Sequence, residues 1–266
     1  MHLSRQNGTE ALARNAIVHT VDMILMTVIH GKLMIVLEKA DKDGAWCLPS
    51  AVILQDEDME EAVRKMLTQD LVMSSQTYFC QLYTFGTADR LPHCRTIATA
   101  YLTLTPCSDL RTLDDDRHLF EIRKHVLHVD EQGRESILIL SDGQQIMQFN
   151  IIDKAKNNYI ETRSCALEEN TAVLAYDYIK AVNMAMDEVY YRAASTGILF
   201  NLLPPEFTLR EIQDVYEAVT GQKTDTGNFR RDIKKMLRET GHTKKSNGHT
   251  AKLYAFDPMY TYLKGN

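Results

Sequence analysis

Three sets of side chains in this 266-residue chain have types and spacings that could do chemistry. The first lies in Leu48 to Met73. There Met59, Ala62, Val63, Met66, Leu67 and Leu71 recur at three- and four-residue steps, while Asp58, Glu60, Glu61, Arg64, Lys65 and Asp70 take the other face. This spacing predicts an amphipathic helix with Asp56 as N-cap and acids suited to its positive start. The second set lies between Lys223 and Lys252, where nine basic residues stand against three acidic ones, so that end of the chain suits a polyanion. The third is a pair, Arg90 and Arg95, flanking a turn-rich loop. Their planar forks of donors suit a phosphate or carboxylate on a ligand, and equally suit salt bridges to Asp89 or a neighbour.

The whole chain bounds what these sets can serve. Its net charge is -6, so the basic end belongs to an otherwise acidic body. With 44% hydrophobic and 25% charged residues it has the composition of a soluble globular protein, long enough for one large domain or two ordinary ones. No apolar run approaches the roughly 18 residues of a membrane span, and the start, MHLSRQNGTEALARNA, has no apolar segment behind its basic residue. A cytoplasmic protein with no membrane partner is expected. The five cysteines are scattered with no C-x-x-C pair, which argues against a disulfide framework and against a structural zinc site.

The elements that must position these sets follow from periodicity and turn signals. Two strands, Val18 to Ile29 and Lys32 to Glu38, are joined by a tight His30-Gly31 turn. A polar loop, ADKDGAW, leads through Trp46 to the Leu48–Met73 stretch. Further strands end at Gly86 and run from Thr96 to Thr105, where Pro106 stops the second. LRTLDDDRHLFEI reads as a polar connection and a short edge strand. Val126 to Val129, Ser136 to Leu140, Ile146 to Ile152 and Tyr159 to Cys165 read as more strands, with turns at Gln132-Gly133 and Asp142-Gly143. A helix is expected from Ala172 to about Ala193, with Leu174, Ile179, Val182, Met186 and Val189 inward. From about Ser195 the composition changes. Thr208 and Glu211 form a capping box for a helix from Leu209 to Val219 that ends at Gly221. Asn228 is the expected N-cap of a second helix that buries Phe229, Ile233, Met236 and Leu237, and a basic hairpin turns at Asn247-Gly248. Helix, turn, basic helix and basic hairpin make a winged helix-turn-helix.

Leu48 to Met73 resembles the Nudix box without a gap: Leu48 and Pro49 fit, and Glu57 keeps the leading acid. The glycine pair has become Ser50 and Ala51, Arg-Glu has become Lys65 and Met66, and the two metal-binding glutamates have become Gln69 and Asp70. Magnesium-assisted attack on a diphosphate needs several carboxylate oxygens on one helix face. Met66 offers no oxygen and Gln69 no charge. The resemblance therefore implies a retained fold with hydrolysis lost: no catalytic residue, no required cofactor, no metal site, and at most weak divalent-metal binding by Glu57 and Asp70.

Three further strings are similar to the Nudix-related transcriptional regulators: QLYTFGTADRLPHCR, LLPPEFTL (Leu202 to Leu209) and NFRR (Asn228 to Arg231). The segment Leu174 to Asp177 also matches, although Tyr178 stands where a histidine is common. The resemblance spans roughly Val18 to Tyr254, interrupted at about residues 123–168 by a β insertion that could cover the cleft, extend the sheet or form a dimer surface. It implies an α+β chain: a Nudix-like α/β/α sandwich with that insertion, residues 1–194, followed by a C-terminal winged helix-turn-helix domain, residues 195–266. The implied function is a homodimeric repressor that binds a double-stranded DNA operator and answers to a small-molecule effector, ADP-ribose or a related nucleotide or sugar. Trp46, Arg90, Arg95, Tyr176 and Asp177 would meet the effector. On the DNA side stand Thr208, Asn228 and Arg238; Arg230 and Arg231 near the recognition-helix start for base edges; and Lys234, Lys235, Lys244 and Lys245 for the backbone. Two other readings remain open: an active Nudix hydrolase of nucleoside diphosphate derivatives with a nucleic-acid-binding appendix, and an RNA-binding Nudix-like module.

Overall fold

The computed structural model describes residues 17–40, 44–75, 77–88, 90, 94–193, 197–246 and 249–260. The polar start, part of the ADKDGAW loop, the boundary near Ser195 and the Asn247-Gly248 turn lie outside them. Ten strands form one sheet around β1 (Ile17–Ile29). Its antiparallel partner β2 (Lys32–Lys39) follows a turn in which His30 and Gly31 have φ of 50° and 72°, the left-handed pair that matches strand twist in a two-residue hairpin. β3 (Trp46–Cys47) pairs with β2 and β4 (Ser50–Val52) with β1. On the other side β6 (Arg95–Leu104) runs parallel to β1 over ten residue pairs, with β5 (Tyr78–Phe85) at the edge.

Strand alternation divides the core between two faces of this sheet. Val21, Met23 and Leu25 face helix α1 (Met59–Met66), whose Ala62, Val63 and Met66 pack on them. Ile24 and Met26 face helix α2 (Tyr178–Ala193). Burying each of these large side chains contributes about 1.5–3 kcal/mol, an upper figure because unfolded chains already hide some surface. The result is helix, sheet, helix.

Four expectations change here. α1 begins after Asp58, not Asp56, and Asp58 makes no side-chain cap bond. Past Met66 the helix widens into a π turn, Leu67–Leu71, closed by the Val72 amide on the Leu67 carbonyl at 2.8 Å. The expected short edge strand is instead β7 (Arg117–Asp130), which pairs with β2 on one side and β8 (Gly133–Ser141) on the other. With β9 (Ile146–Lys156) and β10 (Tyr159–Ala166), the insertion extends the sheet as an antiparallel meander. Leu138, Leu140, Met147, Phe149 and Ile151 on its inner face join the core under α2. The helix expected from Ala172 starts only at Tyr178. Leu174 instead bridges to Trp46, and Tyr176 has φ of 53°, which no right-handed helix accommodates.

The C-terminal part comprises a 3-10 turn (Gly197–Leu202), α3 (Leu209–Thr220), α4 (Thr226–Ile233), a short 3-10 turn (Lys234–Met236), and the hairpin β11 (Leu237–Ser246) and β12 (His249–Phe256). Thr208 accepts from the Glu211 amide at 3.2 Å while the Glu211 carboxylate accepts from the Thr208 amide at 2.7 Å, and Gly221 ends α3 with φ of 68°. Phe207 and Tyr254 exchange backbone hydrogen bonds, tying the entry of α3 to the hairpin. Phe207, Ile212, Val215, Val219 and Tyr254 share the core that runs beneath α2, so the winged helix is docked on the sheet domain. Thr208→Ala should lower stability by about 1 kcal/mol in urea denaturation, because the α3 amides lose their cap without a cavity forming.

Candidate functional site

Arg90 is the centre to which the expected ligand residues converge. Its side chain is 5% exposed; Nε donates to Asp177 Oδ1 at 2.8 Å and Nη2 to Asp22 Oδ2 at 3.0 Å. The rings of Phe85, Tyr178 and Tyr176 lie 5.6, 5.2 and 5.8 Å from its guanidinium carbon. Asp22 is reached because it takes the even face of β1 and so points toward α2, amid an otherwise apolar strand. Burial pushes the Asp22 carboxyl above its ordinary value, against the charge of Arg90 and hydrogen bonds from Arg90, Thr20 and Tyr178. Burial also pulls the Arg90 guanidinium down, but its hydrogen bond with Asp177 and the charge and hydrogen bond of Asp22 outweigh this and leave it raised. The buried Tyr178 hydroxyl is raised as well, first by desolvation and then by the nearby Asp22 charge.

The outer edge of this cluster is aromatic and cationic. Lys180 Nζ sits 4.4 Å above the Tyr83 ring and 5.8 Å from that of Phe85, and no carboxylate partner for it occurs among the described residues. Tyr83 and Tyr176 are exposed. Tyr176 holds a left-handed backbone that costs a non-glycine residue energy, a conformation common where a side chain is presented for binding. The Lys180 ammonium also donates to the Tyr83 hydroxyl at 3.3 Å, and ring faces beside an ammonium without a carboxylate suit a planar or anionic ligand.

Of the five expected ligand residues, Arg90, Tyr176 and Asp177 come together. Arg95 does not join them: its Nη1 donates to the Thr87 carbonyl at 2.7 Å and anchors the loop. Trp46 is fully buried, packed on His118 and Phe120, with Nε1 donating to Gln145 at 3.1 Å, so no ring face is open to a ligand. Asp22, Tyr83, Tyr178 and Lys180 were not anticipated. The available signal was Asp22 itself, since an acid inside VDMILMTVI demands a buried cation.

The degenerate box lies on the opposite face of the sheet, with α1. Met66 is buried in that core, Gln69 and Asp70 are exposed on the π turn, and Lys65 lies 3.7 Å from Glu57. Among the described residues no three His, Cys, Asp or Glu side chains converge as a metal site. A thioether, a carboxamide and a lone carboxylate do not fit a magnesium ion that needs oxygen ligands.

In the winged helix, Asp225 caps α4 by accepting from the Asn228 amide at 2.8 Å. The expected cap, Asn228, is the third helical residue. Arg230 and Arg231 consequently fall in the last turn of α4, not near its start. α4 also ends earlier than expected, because Leu237 is extended and pairs with Phe256, while Phe229 and Ile233 are only half-buried. Thr208 is buried, and its side chain is held in the capping box of α3. Arg231 and Lys235 lie 3.5 and 3.0 Å from Asp232, and Lys244 lies 2.7 Å from Glu211. Arg230, Lys234, Arg238 and Lys245 are exposed with no carboxylate partner among the described residues.

Removing one partner of a buried ion pair leaves the other uncompensated, so Arg90→Met should destabilise the fold by about 3–5 kcal/mol at neutral pH. The Asp22 carboxyl would then rise further above its unfolded value, and a raised acid loses stability as pH climbs from the unfolded towards the folded pKa. The loss relative to the parent should be smaller at pH 5 than at pH 7.5 in urea denaturation; an equal loss at both would show that Asp22 does not depend on Arg90.

Residues 199–256 match the model of the NrtR DNA-binding winged helix domain. The ADPR responsive transcriptional repressor NtrR of Acinetobacter baylyi is 24% identical over 245 residues, covering 89% of this chain and 81% of that one. Among solved structures, a MutT/nudix family protein from Enterococcus faecalis covers 95% of this chain and 93% of its own at 20% identity and a TM-score of 0.66. Shewanella oneidensis NrtR complexed with a 27mer DNA covers 91% and 95% at 20% identity and a TM-score of 0.63. A winged helix of the NrtR kind thus follows a sheet domain of Nudix-like fold, and the two stand in the same order along nearly the whole chain as in the Enterococcus faecalis and Shewanella oneidensis structures.

Proposed function

We propose that the chain is a ligand-responsive DNA-binding repressor. The observation that carries this reading is the NrtR-type winged helix at residues 199–256, which presents exposed, unpaired cations and is docked by its own core onto a Nudix-like domain. A named repressor relative responds to ADPR, and a structural relative was crystallised with DNA, which supports a duplex DNA operator and an ADP-ribose-like effector here. The Arg90 cluster is the effector site: Tyr83 and Tyr176 supply ring faces and Lys180 an ammonium for an anionic group. Arg230, Lys234, Arg238 and Lys245 contact DNA, and a homodimer in the cytoplasm would match a two-fold operator. No helix among the described residues is long and apolar enough to cross a membrane.

The Nudix-like domain binds without cleaving and requires no metal. Met66 in the core and Gln69 and Asp70 at the surface support this over the hydrolase reading. The effector acts by differential affinity for two arrangements of the sheet domain and winged helix, since a ligand bound equally by both shifts nothing.

Anisotropy with duplex DNA from the gene's own promoter should show binding that weakens steeply with salt, as phosphate contacts release counterions. Arg230→Ala with Lys234→Ala should reduce affinity at least tenfold and flatten the salt slope, and ADP-ribose should shift the parent's affinity. Equal binding to RNA of the same length, or an unchanged double variant, would sink the DNA assignment. Incubation with ADP-ribose and Mg²⁺ should give no turnover at ordinary enzymatic rates; turnover would restore the enzyme reading.

A further inference from the structure

A cavity of about 720 Å³ lies away from the Arg90 cluster, walled by β7 and β8, by α2 and by the last turn of α3 with the residues that follow it. Both the sheet domain and the winged helix therefore contribute walls. Its floor is a closed ionic ladder: Lys124 Nζ lies 2.7 Å from Asp187, and Arg134 Nη2 lies 2.7 Å from Asp187 and also pairs with Asp153. On the winged-helix wall Lys223 pairs with Glu217 at 2.7 Å. At the β2–β7 edge Glu121 alone serves two cations, Lys32 at 2.9 Å and Arg123 at 3.4 Å, which leaves one positive charge in excess. Between these charged groups the walls are apolar and uncovered: Val126 and Val129 on β7 are 54% and 65% exposed, and Tyr190 and Tyr191 on α2 are 41% and 63% exposed. Tyr191 is steadied by Arg134 Nη1, which donates to its hydroxyl at 3.0 Å.

Apolar walls with a few converging polar groups, at a volume within the usual range of ligand pockets, describe a binding site. We propose that this cavity is a second ligand site, taking a planar ring that carries a phosphate, of about mononucleotide size. The ring lies against Tyr191 and Val129. The phosphate takes the unmatched charge of Lys32 and Arg123, whose side chains are 59% and 52% exposed. Because Glu217 to Lys223 form the opposite wall, an occupied site holds the end of α3 against the sheet domain. This assignment does not depend on DNA binding or on the Arg90 cluster as effector site.

The test uses the full chain and adenosine monophosphate as probe, by isothermal titration and hydrogen exchange, with no DNA present. Saturable binding is expected. It should weaken at least tenfold in Lys32→Glu with Arg123→Glu and, independently of charge, in Tyr191→Ala, while Lys180→Glu reports whatever part of the binding belongs to the other cluster. All of these positions are at the surface, and unchanged melting temperatures would establish that each variant is folded. Bound probe should slow exchange at the amides of residues 217–223. Absence of saturable binding up to millimolar probe, equal affinity in the cavity variants, or loss only in Lys180→Glu would each overturn the proposal.

Discussion

Strand β1 carries two obligations at once. Val21, Met23 and Leu25 must fill the core beneath α1 while Ile24 and Met26 fill the core beneath α2, and β2 and β6 must satisfy its backbone on both edges. A strand buried on both faces has no solvent-facing side on which to put a polar residue. Asp22 is nevertheless on it, and a carboxylate in that position is tolerated only with donors brought to it. Arg90, Thr20 and Tyr178 supply them. Since Arg90 comes from the loop after β5 and Tyr178 from the start of α2, one buried acid draws three separate chain segments together. Asp177 then takes the second face of the same guanidinium.

That arrangement separates the two inherited features of the sheet domain. The positions that resemble the Nudix box sit with α1 on one face, where Met66 is part of the core and the π turn carries Gln69 and Asp70 to the surface. The aromatic and cationic cluster sits on the other face, beside α2, which also supports the winged helix through α3. A binding surface on the α2 side is mechanically closer to the winged helix than the old box is, as expected if ligand occupancy is to influence DNA contacts.

The added strands β8, β9 and β10 belong to this same logic. The inner face of β8 and β9 lengthens the floor under α2, and Arg134 of β8, with β7, forms a wall facing the last turn of α3. Three ion pairs of that wall, Arg134 to Asp153 and to Asp187 and Lys124 to Asp187, link side chains 19 and more residues apart, so this part of the seat is built from tertiary contacts.

Local periodicity and turn chemistry were enough for the elements whose stability is local. The β1–β2 hairpin, the amphipathic face of α1, the capping box and Gly221 stop of α3, and the basic hairpin could be read from the chain, because alternation, capping side chains and left-handed glycines act within a few residues. Motif register likewise placed Gln69 and Asp70 at the metal-binding positions of the resembled box and Met66 at its Arg-Glu pair, since oxygen donors are a property of residue type. What only the tertiary structure decided were the partners. Arg90 could have met a ligand or an acid, and burial against Asp22 gave it two acids. Trp46 could have stacked on a ligand, and the strand pairing of β3 with β2 sealed it in the core. Asp225 displaced Asn228 as the cap of α4, and Leu174's bridge to Trp46 delayed the start of α2 by six residues. In each case the competing local choices differ by about 1 kcal/mol, and a single long-range contact or a buried side chain is large enough to choose between them.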